Sequence, residues 1–230
     1  MRKIFTTFIA LFAGATFASA QADSTTTASM AHAGSTASVV ASDYTLPTAP
    51  KAFPTIHIAN FGQMDERLYR GAQPSQEDYK ALKELGINTV IDLRKDNEPF
   101  AKSTVESLGM KYVNIPMTGW NTKDESVTEF LKVADDPSNG KIYLHCAAGM
   151  HRTGLAGAIY RLENYGWDYD TAYKEMKNFG YFSGLFHRKI KAYVQDYYKE
   201  FGPVKQAAYK AAHAAKTAAA AGTVSLVTAN

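Results

Sequence analysis

A single-domain α/β sandwich, with a mostly parallel central sheet flanked by helices, is the fold this sequence predicts. Three observations predict it. Short apolar, β-prone runs alternate with helical stretches along most of the chain. The run Lys141-Ile142-Tyr143-Leu144 leads into a glycine-containing loop and then into a helix from Leu155 to Asn164. The body between the two unusual ends is about 150 residues, the ordinary size of one domain with its own core.

The elements follow in order. Phe61 to Tyr69 offers short strands around a turn, with order beginning near Phe53-Pro54. Ser75 is a good helix N-cap, Asp78 a first-turn acid and Gly86 a stop, so a helix lies between them. Thr89 to Leu93 reads as a buried strand, Ser103 to Leu108 as a short helix ended by Gly109, and Tyr112 to Ile115 as another strand. Thr122 to Val133 reads as a helix, with Thr122 and Glu125 spaced as a capping box. Ile142 to His145 is the strand before the loop. Helices then run from Thr153 to Tyr165, Tyr169 to Asn178 and His187 to Phe201. The loop sits at a strand's carboxyl end, where such sheets bind ligands.

The ends differ from this body. Residues 1–20 have a basic start (Arg2-Lys3), an apolar stretch from Ile4 to Phe17 and the small-residue end Ala18-Ser19-Ala20, the pattern of a cleaved secretory signal peptide. The apolar stretch is too short for a stable membrane span. A periplasmic or secreted location follows. Residues 21–52 are rich in Ser, Thr and Ala and read as a disordered linker. Residues 53–202 form the expected catalytic domain. Residues 203–230 form an Ala-rich basic tail that begins after Gly202-Pro203, and a solvated helix is its plainest reading. Removing Arg2 and Lys3 takes the Lys and Arg count from 25 to 23 against 22 acidic residues, which gives no argument for a nucleic-acid partner.

The chemistry concentrates in His145-Cys146-Ala147-Ala148-Gly149-Met150-His151-Arg152-Thr153-Gly154. Cys146 is the only cysteine, so no internal disulfide stabilises an exported chain. A lone cysteine is ordinarily an inert core residue. A loop between a strand and a helix can instead turn successive backbone N–H groups toward an anion, with the helix's positive end behind them. In that field, with Arg152 beside it, Cys146 becomes a thiolate near neutral pH. Ala147, Ala148, Gly149, Met150, His151 and Arg152 then line a phosphate pocket. Arg152 supplies a planar fork for two phosphate oxygens, which Lys would do less well. Thr153 is placed to donate its hydroxyl to the sulfur, or to cap the helix, and His145 to fix the loop from behind. No metal or cofactor is called for.

The loop resembles the signature loop of the cysteine-based protein tyrosine phosphatases, particularly the atypical dual-specificity branch of bacteria, fungi and plants. Leu68-Tyr69-Arg70-Gly71-Ala72-Gln73-Pro74, Leu85-Gly86-Ile87 with Val90-Ile91-Asp92-Leu93-Arg94, and Gly166-Trp167 before Phe179-Gly180 extend the resemblance over about residues 60–200. It implies a tyrosine phosphatase-like sandwich and a phosphocysteine intermediate. The substrate would be a phosphorylated protein or small phosphoester, and the protein a monomer.

The resemblance also implies an aspartic general acid about thirty residues before the cysteine. Here Asn114-Ile115-Pro116-Met117-Thr118-Gly119-Trp120 contains no carboxylate. Asp124 is the candidate acid, with Asp96 and Glu98 as further candidates. A weak or displaced acid favours leaving groups that need little protonation, such as a phenolate or the phosphate of an anhydride. Alternatives are an inositol (pyro)phosphate phosphatase, a rhodanese-like sulfurtransferase and a phosphate-binding pseudophosphatase. The uncharged Ala147, Ala148 and Met150 argue against a heavily phosphorylated inositol, although Lys95, Lys123, His187 or Arg188 could supply charge from other loops.

Overall fold

The computed structural model describes residues 53–119, 121–184 and 187–227. The segments read above as a signal peptide and a linker, up to residue 52, lie outside the described residues. Within them the chain forms a five-stranded sheet in the order β1-β2-β5-β3-β4. β1 (Gly62–Gln63) runs antiparallel to β2 (Leu68–Gly71). The pairings among β2, β3 (Ile87–Asp92), β4 (Lys111–Asn114) and β5 (Lys141–His145), namely β2–β5, β5–β3 and β3–β4, are parallel. This is the expected mostly parallel sheet.

Side-chain alternation divides the core in two. Leu68, Ile91, Ile142 and Leu144 join one buried cluster with Val127, Phe130, Leu155 and Ile159. Tyr69, Val90 and Tyr143 join another with Tyr79, Leu82, Ala101 and Val105. Helices α1 (Gln76–Glu84) and α2 (Ala101–Ser107) therefore cover one face. Helices α3 (Asp124–Asp135), α4 (His151–Tyr165), α5 (Tyr169–Asn178) and α6 (Arg188–Val227) cover the other. α4 is the central helix: Leu155, Ile159 and Leu162 are almost fully buried, each burial contributing about 2 kcal/mol.

α1 starts as its sequence dictates, with Ser75 and Asp78 forming a reciprocal capping box. α3 does not. Its N-cap is Lys123, without a side-chain cap, and the Thr122 hydroxyl donates to the Thr118 carbonyl instead. The helix entry is tied by the Ser126 hydroxyl, which donates to the Pro116 carbonyl at 3.2 Å. The expected Thr122/Glu125 box thus gives way to contacts with the preceding loop.

The second departure is at Gly202-Pro203, where a helix end was expected and α6 continues to Val227. A proline inside a helix costs about 3 kcal/mol. Packing on α4 offsets that cost. Lys205 meets Glu163 at 2.5 Å, the Tyr209 and Tyr165 rings lie 6.5 Å apart, and Gly166, left-handed at φ +56°, lets the α4 end approach Tyr209 and Gln206 closely. The first turns beyond residue 203 therefore pack on the domain instead of forming a separate tail.

Candidate active site

The loop from Cys146 to Met150 joins β5 to α4, which begins at His151, two residues earlier than expected. Its shape is set from outside. The Ala147 carbonyl accepts from the Gln73 backbone N–H at 3.0 Å, the Ala148 carbonyl from Asn60 Nδ2 at 2.8 Å, and the Gly149 carbonyl from Arg70 Nη2 at 2.8 Å. A trans peptide puts its N–H opposite its carbonyl. The N–H groups of Ala148, Gly149 and Met150 are thereby turned away from these partners, which is the arrangement that receives an anion. Gly149 sits at φ +69°, and a Cβ there would lie 2.4 Å from the Gly71 carbonyl carbon and 2.6 Å from the Ala72 nitrogen. Only glycine fits.

Cys146 is 3 % exposed. Burial alone would raise its pKa, but the combined pull of the Thr153 hydroxyl, the Thr153 and Gly149 backbone N–H groups and the Arg152 charge holds the thiol below its ordinary value. Thr153 Oγ1 is buried and closes no other hydrogen bond, which leaves it available to a charged sulfur. Arg152 is half-buried and, among the described residues, makes a single long side-chain hydrogen bond, to the Leu93 carbonyl at 3.4 Å. Its fork is little committed.

His145 is fully buried behind the loop, with Nδ1 3.4 Å from the Cys146 carbonyl and 3.8 Å from Asp92 Oδ1. Burial pushes its pKa down to about 4, although the Asp92 carboxylate pulls the other way. The unfolded chain takes up a proton here below pH 6.5 that the folded chain refuses until about pH 4. Stability is therefore complete above that window and falls as pH drops through it, by about 3 kcal/mol in full. In urea unfolding, His145→Gln is expected to lose about 2 kcal/mol less than the wild type between pH 7 and pH 4.5. Equal losses would refute a neutral buried imidazole.

The rim beside the loop is aromatic. The His151 ring stacks on His187 with centroids 3.5 Å apart, and exposed Phe182 stands edge-on to His151 at 4.7 Å and to His187 at 5.3 Å. His151 is brought down to about 4 by burial, then by His187 and Arg152, so its imidazole is uncharged at neutral pH. His151 thus stands within a side-chain stack at the edge of the loop. Ala147 and Ala148 are exposed at the loop, and Met150 is half-buried against Gly180.

None of the three candidate acids is buried. Asp124 begins α3, is exposed, and accepts a hydrogen bond from Tyr193 Oη of α6 at 2.7 Å. Glu98 is paired with Arg94 at 2.8 Å, and Asp96 is exposed. Lys95, Lys123 and Arg188 are exposed as well. Among the described residues no cluster of three or more His, Cys, Asp or Glu side chains is arranged to hold a metal ion.

Sequence reasoning missed Asn60 and Arg70 as parts of the site. Arg70 had a visible signal, lying in a matched segment, and is fully buried with its guanidinium 4.1 Å from the Phe179 ring centroid. Burial lowers its pKa to about 10 against the pull of Glu175 and Cys146, and it stays cationic. Asn60 carried no sequence signal.

Comparison with known proteins agrees with this geometry. Residues 57–185 match the family model described as "DSP-PTPase phosphatase fused to NAD+ Kinase". The dual specificity protein phosphatase TpbA of Pseudomonas aeruginosa (strain UCBPP-PA14) is 29% identical over 137 residues, 59% of this chain and 62% of TpbA. The inositol diphosphatase SIW14 of Saccharomyces cerevisiae is 30% identical over 134 residues, 53% of this chain and 46% of SIW14. The chain thus spans less than two thirds of the length of these curated relatives. The crystal structure of P. aeruginosa TpbA superposes with a TM-score of 0.57 at 26% identity, covering 70% of this chain and 96% of that one. A Cys-to-Ser variant of TpbA in complex with pTyr gives the same TM-score and identity, with 72% and 98% covered. A match that takes in more than half of the sequence, centred on a strand-loop-helix cysteine cradle, places the chain in the DSP-PTPase family of cysteine-based dual-specificity phosphatases.

Proposed function

We propose that this chain is an exported phosphatase that hydrolyses phosphotyrosine or another aryl phosphate through a phosphocysteine at Cys146. The observation that carries the reading is a thiol favoured as thiolate within a loop whose Ala147, Ala148 and Gly149 carbonyls are held outward, next to an arginine fork that is little engaged. In this reading Cys146 Sγ attacks phosphorus in line, and the S–P bond forms as the P–O bond breaks. Arg152 holds two equatorial oxygens, and the loop N–H groups hold the phosphoryl charge. Water then cleaves the S–P bond and returns the thiolate, with the Thr153 hydroxyl easing its departure.

Asp124 is the proposed acid for the leaving oxygen. Its Oδ1 already accepts from Tyr193, which competes with proton delivery, so the preference falls on leaving groups that need little help. The aromatic rim of His151, His187 and Phe182, in which His151 is neutral, suits an aryl group better than a highly anionic one. A second reading, hydrolysis of an inositol pyrophosphate, rests on the same leaving-group argument, since an anhydride also departs easily. SIW14, a relative, bears that activity in its name. Export rests on residues 1–20 and makes the mature chain begin at Gln21.

A substrate panel on that mature chain tests the proposal: an aryl phosphate, phosphotyrosine and phosphoserine peptides, inositol phosphates and pyrophosphate. The expected result is at least about tenfold faster release from the phosphotyrosine than from the phosphoserine peptide, with Asp124→Asn slowing the phosphoserine reaction more. Equal rates on the two peptides would overturn the aryl preference. A dominant inositol pyrophosphate rate would favour the second reading, thiocyanate production a sulfurtransferase, and vanadate binding without turnover a pseudophosphatase.

A further inference from the structure

Asn60 is the one non-glycine residue with positive φ, +54°, among the described residues. Such a backbone is costly for most side chains and tolerated by asparagine. Its turn is fastened on both sides. The Phe61 N–H donates to the Ile58 carbonyl at 3.3 Å, and the Ala72 N–H donates to the Ala59 carbonyl at 2.9 Å. This left-handed turn brings the side chain across 88 positions of sequence to the Ala148 carbonyl at 2.8 Å. The contact fixes which amide atom points there, because a carbonyl can be met only by the NH2 end.

We propose that Asn60 is a positioning residue of the loop: by holding the Ala148 carbonyl, it turns the Gly149 N–H onto the Cys146 sulfur. The Ala148 carbonyl and the Gly149 N–H belong to one planar peptide, so fixing one fixes the other. That N–H is among the groups that favour the thiolate, and Ala148 is exposed, without a buried side chain to hold its peptide in place. The two flanking peptides are held by the Gln73 backbone and by buried Arg70. The middle one depends on this single half-buried amide. Losing it would free the peptide to flip and point its carbonyl at the sulfur, which disfavours the thiolate. The inference rests on Cys146 being the nucleophile, and it adds a residue outside the loop that sets its charge state.

The test uses Asn60→Gly, which retains the left-handed backbone and removes only the amide, alongside Asn60→Asp, which opposes the carbonyl with a negative charge. Cys146 is titrated by its rate of iodoacetamide alkylation against pH, and aryl phosphate hydrolysis and thermal unfolding are followed in parallel. In both variants the alkylation midpoint is expected to move up by about half to one pH unit. kcat is expected to fall about five- to twentyfold with KM changed less, the fall being larger for Asn60→Asp. A midpoint and kcat that stay at wild-type values in Asn60→Gly would overturn the inference, as would a lower unfolding temperature with an unmoved midpoint. A wild-type midpoint no lower than that of a free thiol would instead overturn the nucleophile reading, so the two failures are separable.

Discussion

Cys146→Ser is expected to lower phosphate release from an aryl phosphate on the order of 10⁴-fold or more, while the folded protein still binds phosphate or vanadate. The reason is acidity. The surroundings of Cys146 tip a thiol toward its anion but act on a group already within reach of neutral pH, whereas a serine hydroxyl stays protonated in the same field. Burial at 3 % exposure also denies the residue any general base of its own, because neighbouring His145 is turned toward the Cys146 carbonyl and Asp92. Arg152→Lys, which keeps the charge but loses the fork, is expected to fall between the two. Release measured under saturating substrate, with circular dichroism to establish folding, checks both. Appreciable turnover by Cys146→Ser would remove the phosphocysteine from the mechanism.

Gly149→Ala is expected to have the second largest effect, through geometry alone. Its Cβ would meet the Gly71 carbonyl carbon at 2.4 Å, the Ala72 nitrogen at 2.6 Å and the Gly71 oxygen at 2.6 Å, all of them backbone atoms of the strand end that the loop rests on. No side chain can swing aside to accommodate it. A left-handed alanine adds about 1–2 kcal/mol, and the overpacking about as much again. The loop must lift away from β2, which breaks the Arg70 contact to the Gly149 carbonyl and dissolves the alignment of its N–H groups. Hydrolysis should drop about a hundredfold or more, and urea unfolding should show a loss of about 2–4 kcal/mol. A variant with wild-type kcat would mean that the loop adapts and that its outward carbonyls do not matter.

What the sequence made legible was what is local. The loop is one contiguous segment whose residue types state their own chemistry, and Ser75 with Asp78 caps α1 within four residues. α5 runs over Tyr169–Asn178 as its cap and periodicity dictate. Readings failed where distant packing prevailed over local signals. Gly202-Pro203 looks like an end because proline removes a helix donor, yet Lys205 and Tyr209 find Glu163 and Tyr165 on α4. Thr122 and Glu125 have capping-box spacing, but the Thr118 carbonyl takes the Thr122 hydroxyl first. In the site itself, Asn60, Arg70 and His187 approach from other segments. Arg70 sits in a matched segment and His187 was a candidate charge, but nothing local to either announces the contact it makes, and Asn60 carried no signal at all. Asp124 was legible only as the candidate carboxylate beyond the stretch where an acid was expected, and its bond to Tyr193 was not legible, since that partner lies 69 positions away.

The three outward contacts that shape the cradle all come from residues 60–73, the stretch that contains β1 and β2. β1 is only two residues long and stands at the sheet's edge, joined to β2 alone. Residues at such a border open more readily than a central strand. Of the three, only Asn60, just ahead of β1, belongs to that border, whereas Arg70 lies within β2 and Gln73 just after it, on a strand held by β5. A brief parting of β1 from β2 would therefore release the Ala148 carbonyl alone, detuning the thiol while the core around α4 and the other two loop contacts stay in place.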